Sequence, residues 1–542
     1  MNILVIIPAR GGSKGIPRKN LRSMCGKPLL FYSINTALAS TFAPDVYVST
    51  EDSEIAAIAG KLGAKVIVRD QQKALDHTTL DPVIHDAYLQ ATEREGKQYD
   101  LVVTLQPTSP LLKSKSLDRA IELLISNASI DTVISAKDDT HLTWKMKEDK
   151  FVPNYKARVN RQYLEPIYRE TGGFLITRSR CVSENNRIGP MVHLHLLNGG
   201  EEIDIDTYED WSLCEYYLRR KNILFVVSGY KAIGLGHVYN SLLVANDILN
   251  HHVEFIVDDK SRLGFDKISS KNYTVTMQHS DSLLDDIVSL NPDVVINDCL
   301  DTTEDYIRAL NGNGIKVINF EDLGSGASHA DLVVNAIYPE REVLPKHYFG
   351  HDYFILRDEF LLTSPRATAK SVANVLVTFG GVDPNNYTQK VIAAIEQYCV
   401  DQGIVVSVVV GFGYDNYESL KPFQHICLHR NCTNIAEHMS AADIVFTSAG
   451  RTTYEVASLQ VPTIVLAQNE RELTHLFASA EFGFNNLGLG TQVAPEEILR
   501  AFVGLVESNS VREHMSSLMA RVDLFRGRSR VLKLINEVVE SI

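Results

Sequence analysis

Unbroken apolar runs that stop at turns of glycine and small residues recur along the chain. Ile3 to Ile7 is the first, and it gives way to Arg10-Gly11-Gly12-Ser13-Lys14-Gly15. A run of this kind reads as a strand buried on both faces. Apolar residues at helical spacing follow over 28–38 and 53–62, with a further helix opening at Asp81-Pro82, where proline suits the first turn. Short strands are predicted over 45–49, 65–68 and 100–105, and a helix over 208–220. Strand–helix alternation implies a mostly parallel sheet covered by helices on both faces. In such sheets ligands bind beyond the C-terminal strand ends, where the first turn lies. The segment Glu202-Ile203-Asp204-Ile205-Asp206-Thr207 alternates and predicts a strand with Asp204 and Asp206 on one side.

At Asn222 the pattern restarts. Ile223 to Gly229 is a new strand, and Ile233-Gly234-Leu235-Gly236-His237-Val238-Tyr239-Asn240 is a turn leading into a helix to about Leu249. Strands over 292–298 and 315–320 end in acids, Asp298 and then Glu321-Asp322. A second series begins at Val375, reaches Gly380 and Gly381, and continues through 442–447 and Ser448-Ala449-Gly450-Arg451-Thr452-Thr453-Tyr454-Glu455. It closes with 461–466 and Gln468-Asn469. The chain therefore divides into 1–220, 221–366 and 367–542, all of the α/β class. Its 542 residues exceed what one hydrophobic core serves.

Composition narrows the function classes. Hydrophobic residues make up 45% and charged residues 22%, values of a globular protein. A net charge of −14 gives no overall basic field for nucleic acid or an anionic membrane, so any phosphate must be met by local basic loops. Seven cysteines without C-x-x-C pairs suggest neither a zinc site nor a disulfide framework, and fit a cytoplasmic setting. No basic segment precedes the first apolar run, so no secretory leader is expected. No apolar stretch approaches the roughly 18–20 residues of a membrane span.

The opening turn carries the first candidate chemistry. Glycines let backbone N–H groups converge on an anion, and Arg10, Lys14, Arg18 and Lys19 add positive charge, a combination suited to a triphosphate. The spacing is not that of a Walker A loop. An ordinary strand-to-loop connection with a solvated charge cluster fits the composition as well. After the strand ending at Leu105 comes Gln106-Pro107-Thr108-Ser109-Pro110-Leu111-Leu112, a proline turn or a site wall, in which Gln106 offers an amide donor and acceptor for a pyrimidine edge. Paired carboxylates at Asp204 and Asp206 repel unless a cation or a proton intervenes, and hard oxygen ligands beside a triphosphate point to Mg²⁺. His237 at its turn is either a turn-lining residue or a general base.

The string IPARGGSKGIPRKN, continued by Gly26-Lys27-Pro28-Leu29, resembles the opening motif of the acylneuraminate cytidylyltransferases. QPTSPLL resembles their second signature. Asn160-Arg161-Gln162 and Tyr168-Arg169-Glu170-Thr171-Gly172-Gly173-Phe174 resemble their acyl-sugar segments, with Asn160 and Thr171 as departures. The resemblance implies a Rossmann-like nucleotidyltransferase domain that joins CTP to a nonulosonic acid. It implies CTP contacts from Arg10, Gly11, Gly12, Ser13, Lys14, Asn20, Arg69, Gln106, Pro107, Thr108 and Ser109, with Lys19 assigned to catalysis. Asp76 and Thr79 fall in a looser motif match. Arg161, Gln162, Glu170 and Phe174 are implied on the sugar side, and Asp204 and Asp206 as the Mg²⁺ ligands. The resembled enzymes are frequently dimers, and no residue pattern here speaks to that.

From about 222 to 530 the chain resembles the UDP-sugar hydrolase of pseudaminic acid biosynthesis, a relative of the MurG-type, two-lobed GT-B glycosyltransferases. The matching pieces are G-x-G-H at Gly234 to His237 and Phe379-Gly380-Gly381-Val382-Asp383-Pro384. The resemblance implies UDP-sugar contacts from Gly234, Gly236, Gly380, Gly381, Ser448, Gly450, Thr452, Glu455, Gln468 and Asn469, with His237 as base. One departure is Asn240, where the hydrolases have arginine. The expected protein is a bifunctional nonulosonic acid biosynthesis enzyme using CTP, a nonulosonic acid and a UDP-sugar. The alternatives for the second half are a glycosyltransferase and a non-catalytic nucleotide-sugar sensor.

Overall fold

The computed structural model describes every residue except 14, 76, 340–343, 412, 431 and 433. Internal packing divides the chain into two compact units, Met1–Arg220 and Lys221–Ile542.

The first unit is built on seven strands in the order Val192–Leu196, Thr132–Asp138, Tyr168–Arg178, Leu101–Leu105, Ile3–Pro8, Asp45–Thr50 and Lys65–Val68. Six run in one direction, and Tyr168–Arg178 runs against both its neighbours. Along Ile3–Pro8 the side chains alternate between two cores. Ile3, Val5 and Ile7 pack on one face and Leu4 and Ile6 on the other, which is why the run has no polar residue. The helix Tyr208–Arg219 opens with a reciprocal cap between Thr207 and Asp210. It buries Trp211 and Cys214 against Ile16, Met24, Leu29 and Ile205, and so seats the 203–206 segment beside the opening loop.

That segment is not a strand. Residues 203–205 are irregular between the turn at 199–202 and the bend at 206–207. The N–H of Ile205 bonds the carbonyl of Thr108 at 2.9 Å, and that of Ile203 turns back to Gly200 at 3.1 Å. It pairs with neither edge strand of the sheet, Val192–Leu196 or Lys65–Val68. Ile205 is buried and Asp206 exposed, while Asp204 is half-buried, so the two acids do not share one face.

The second unit holds two all-parallel sheets. The first has seven strands in the order Val275–Met277, His252–Val257, Asn222–Val227, Val294–Asp298, Lys316–Phe320, Leu332–Asn335 and His347–Phe349. The second has six, Ile426–Arg430, Val405–Val410, Asn374–Val377, Ile444–Thr447, Thr463–Ala467 and Phe484–Leu489. Each is covered by helices, giving the two-lobed, GT-B-like α/β architecture. The last helix, Gly527–Glu540, crosses back to the first lobe. Its Val531, Ile535 and Val539 sit in the core formed by Ile223, Phe225 and Val227. Arg528 pairs with Asp247 and Asp358 at its start. Among the described residues no helix is long and apolar enough to cross a membrane.

The returning helix is held by three apolar side chains, so Ile535→Ala should cost the second unit about 2–5 kcal/mol. Denaturant unfolding of the full chain, followed by far-ultraviolet circular dichroism, checks this.

Candidate functional site

In the first unit the opening turn lies at the C-terminal end of Ile3–Pro8, and its neighbours are acidic. The N–H of Gly11 donates to Glu51 Oε1 at 2.7 Å. The other oxygen of Glu51 accepts from Nε and Nη2 of Arg69 at 2.9 and 2.7 Å. Arg69 is only 6% exposed, so its guanidinium braces the turn through Glu51 instead of facing open solvent. Arg18 is paired with Asp52 and Glu54. Gly11 is required by close approach, since a Cβ there would lie 2.4 Å from Asp52 Oδ2. Asn20 is buried, and its side-chain amide donates to the carbonyl of Arg10 at 2.9 Å, closing the turn on itself. Gly12 is exposed and Ser13 half-buried, while Lys14 lies outside the described residues, as does Asp76.

Three elements converge on the acid pair. Lys19 Nζ donates to the carbonyl of Ile205 at 2.5 Å and stands 3.8 Å from Asp206 Oδ1. A Cβ on Gly15 would meet the carbonyl oxygen of Asp206 at 2.7 Å, and one on Gly172 would meet Asp204 Oδ1 at 2.8 Å. Asp204 therefore sits against the antiparallel strand, beside Thr108. Burial raises its carboxyl pKa, and Asp206 adds to the rise while Thr108 and Lys19 oppose it. Its Oδ1 is buried without a hydrogen-bond partner, as are the hydroxyls of Thr108 and Ser109. Asp206 is 81% exposed. Gln106 is half-buried and its backbone N–H donates to Gly172 at 3.3 Å; Pro107 is buried beneath it.

The sugar-side residues are less gathered. Arg161 and Gln162 lie on an exposed 3-10 turn, with Arg161 3.9 Å from Asp138 Oδ2, and Glu170 is exposed on its strand. Phe174 corrects the expectation. It is a core residue, packed with Val5, Leu105 and Leu197 and 5.6 Å from the His195 ring. Its place on the strand turns its side chain inward, away from solvent.

In the second unit His237 lies in the first turn of the helix Gly236–Asp247, just past the expected loop, and Asp298 meets it from the end of the neighbouring strand. His237 Nδ1 lies 2.5 Å from Asp298 Oδ1. Asp298 Oδ2 accepts from Asn240 Nδ2 at 2.8 Å and from Ser241 Oγ at 3.2 Å. With Nδ1 donating to the carboxylate, Nε2 is left as an acceptor. The guanidinium expected at position 240 comes from elsewhere. Arg451, carried by the second lobe, donates from Nη2 to Asn240 Oδ1 at 2.7 Å, lies 3.5 Å from Glu321 Oε1 and covers the Phe354 ring at 4.6 Å. Gly236 faces the Arg451 stem, which lies 3.4 Å from where a Cβ would stand. Burial pushes the Glu321 carboxyl up to about 7 against the pull of Arg451, and pushes His475 down to about 4.

The nucleotide-side candidates of this unit divide. Gly234 and Gly380 adopt left-handed backbone conformations, with φ of 77° and 80°. Gly381 packs under Gly411, whose added Cβ would approach Gly381 Cα to 2.5 Å. Ser448 is buried, while Gly450 and Thr452 are half-buried at the turn. Glu455, expected at ribose hydroxyls, instead accepts from Arg357 Nε at 2.7 Å and is 9% exposed. Gln468 is spanned by Asp383 and Asn385, at 2.8 and 2.9 Å, so both ends of its amide are taken inside the protein. Asn469 is exposed and its Oδ1 accepts the N–H of Glu472 at 3.0 Å. Glu472, unremarked in the sequence, accepts N–H bonds from Ala449 at 3.2 Å and Gln468 at 2.8 Å, beneath the turn. Burial raises it to about 7. Glu51 and Arg451 were equally unsignalled as partners; the strand-end acids Asp298 and Glu321 carried the one available clue.

A family model described as cytidylyltransferase matches residues 4–165, covering the opening turn and the Gln106 wall but ending before Asp204. The pseudaminic acid cytidylyltransferase of Campylobacter jejuni serotype O:2 is 35% identical over 219 residues, spanning 39% of this chain and 93% of that protein. The chain belongs to the cytidylyltransferase family. The CMP-N,N'-diacetyllegionaminic acid synthase of Legionella pneumophila is 33% identical over 222 residues, 40% of this chain and 95% of that protein. An uncharacterized protein of Methanocaldococcus jannaschii is 34% identical over 272 residues, and the chain spans 56% of its length. Among solved structures, MurG of Acinetobacter baumannii aligns with a TM-score of 0.43 at 14% identity, over 59% of this chain and 99% of that one. The family match lies within the first unit, and the second unit lies wholly beyond it.

Glu472 holds its proton more tightly folded, at about 7, than unfolded, near 4.5. A raised carboxyl favours the fold while protonated, so the second unit should lose up to about 3 kcal/mol from this group as pH rises from about 4.5 to 7. Glu472→Gln removes that loss. Chemical denaturation at pH 5 and pH 8 should show the variant gaining on the parent protein at the higher pH.

Proposed function

We propose that the first unit transfers CMP from CTP to a nonulosonic acid of the pseudaminic or legionaminic type. The convergence of the basic turn, Lys19 and the Asp204–Asp206 pair, in a chain of this family, carries the reading. The anomeric hydroxyl attacks the α-phosphorus of CTP, the α–β anhydride bond breaks and pyrophosphate leaves. The turn's backbone donors, Arg10, Ser13 and Lys14 hold the triphosphate, and Lys19 neutralises charge beside it. Glu51 and Arg69 keep the turn's shape. Gln106 faces the pyrimidine edge, and Arg161, Gln162 and Glu170 serve the acid's side.

The residues present fit a magnesium ion held jointly with substrate. Among the described residues no group of three or more histidine, cysteine or acidic side chains is gathered as a metal site. Asp204 keeps a buried, unpartnered oxygen, and Mg²⁺ is commonly held by one or two carboxylates plus substrate phosphates. Asp204 and Asp206 would hold the ion, which supplies neutralisation of phosphate charge.

For the second unit we propose hydrolysis of a UDP-linked diacetamido-trideoxyhexose, an earlier step of the same biosynthesis. His237 Nε2 takes the proton from water, the water oxygen bonds the anomeric carbon, and the carbon–oxygen bond to UDP breaks. The His237–Asp298 pair supports this, because a carboxylate on Nδ1 fixes the basic nitrogen toward substrate.

Pyrophosphate release from CTP and Mg²⁺, assayed with a panel of nonulosonic acids, should fall at least 100-fold in Asp204→Ala, and should vanish on chelation. Turnover unaffected by both would sink the first-unit reading. UDP release from the UDP-sugar in water should fall to a comparable degree in His237→Gln. Release that needs an acceptor would make the unit a transferase, and binding without turnover a sensor.

A further inference from the structure

A continuous chain of polar contacts runs from the second lobe to the candidate base. Arg451 Nη2 donates to Asn240 Oδ1, Asn240 Nδ2 donates to Asp298 Oδ2, and Asp298 Oδ1 meets His237 Nδ1, at 2.7, 2.8 and 2.5 Å. Each member is held with little freedom. Asp298 and Asn240 are 0% and 2% exposed, and Arg451 is clamped between the Phe354 ring and Glu321. An asparagine amide has one acceptor and one donor end. With Arg451 on its oxygen, Asn240 can present only its NH2 to Asp298. Without Arg451 the amide oxygen loses its charged donor in a buried site, and the seat that aims its NH2 at Asp298 is loosened.

We infer that Arg451 is a positioning residue for His237: by anchoring Asn240 it orients Asp298, and so ties assembly of the base in the first lobe to a side chain supplied by the second. This deepens the hydrolase reading and rests on it. Arg451 itself takes no proton and touches no reacting atom. The link also accounts for asparagine at 240. A primary amide can accept from a guanidinium and donate to a carboxylate at once, whereas an aspartate there would set two carboxylates against each other.

The test uses the full chain with Arg451→Met, Arg451→Lys, Asn240→Leu and the double variant Arg451→Met/Asn240→Leu. Circular dichroism confirms folding, and two readouts follow. In hydrolysis of the UDP-linked diacetamido-trideoxyhexose, Arg451→Met should lower kcat tenfold or more with KM within twofold, and lysine should restore part of the loss. The double variant should be no worse than the worse single one, since all three cut one chain. Independently of turnover, nitrogen-15 shifts of the histidine side chains, assigned by the peak lost in His237→Gln, should show His237 as the single Nδ1–H tautomer in the parent. Arg451→Met and Asn240→Leu should show a tautomer mixture. An unchanged tautomer in both variants would overturn the inference, as would a raised KM with kcat intact. Should the parent hydrolyse nothing, the hydrolase reading falls and the tautomer result alone decides the role of Arg451.

Discussion

A parallel strand cannot be joined to its neighbour by a tight hairpin, and the rest of this protein follows from that constraint. Each strand must be followed by a crossover that carries the chain back to the starting edge, and the crossover is helical because a helix buries its apolar stripe on the sheet. All turns that leave strand ends therefore collect along one edge. In the first unit this brings together the turns after Pro8, Thr50 and Leu105, which are far apart in sequence. The antiparallel strand Tyr168–Arg178 enters from the same edge, so Gly172 arrives beside Asp204. In the second unit the same rule brings the turn after Val227 next to Asp298, across one ladder.

Gathering strand ends also gathers buried acids, and their partners separate two kinds. Asp298 receives Asn240 and Ser241 on one oxygen and faces His237 on the other. Its lone pairs are spoken for, and a satisfied carboxylate is a rigid platform. Asp204, Glu321 and Glu472 are buried with fewer or weaker partners, and desolvation raises the pKa of each. Asp204 keeps one oxygen with no hydrogen bond, and Glu321 Oε1 has only the ion pair with Arg451 at 3.5 Å. Carboxylates left short of partners at the edge where ligands bind are the groups with most to gain from a cation or a substrate donor.

The strands and crossovers were readable because each buried parallel strand is an apolar run bounded by a turn, as at Ile3 to Ile7 and Val375 to Val377. The unit boundary was readable from the restart of that pattern at Asn222. The 202–206 segment was misread because alternation reports only which side chains face inward. Whether a ladder partner is available depends on sheet edges set by other parts of the chain. Phe174 was misplaced for a related reason: its motif neighbours Glu170 and Gly172 lie at the open end of the strand, but Phe174 is already inside the sheet. Glu455 and Gln468 sit at the expected turns, yet their side chains are committed to Arg357 and to Asp383 and Asn385, commitments that span about a hundred residues and leave no local trace.

Position 240 shows the same limit most sharply. Read along the chain, asparagine in the place of an arginine is a loss of charge from the turn that carries His237. In the folded unit the charge is there, delivered by Arg451 from 211 residues away. A guanidinium needs to reach a point in space, and either of two facing elements can carry it provided the other supplies a matching acceptor. Arginine carried by the turn itself would set charge directly beside the carboxylate. Arginine carried by the opposite lobe, acting through a neutral amide, makes the same charge conditional on the two lobes meeting. The substitution thus moves a property of one turn into a property of the whole two-lobed unit.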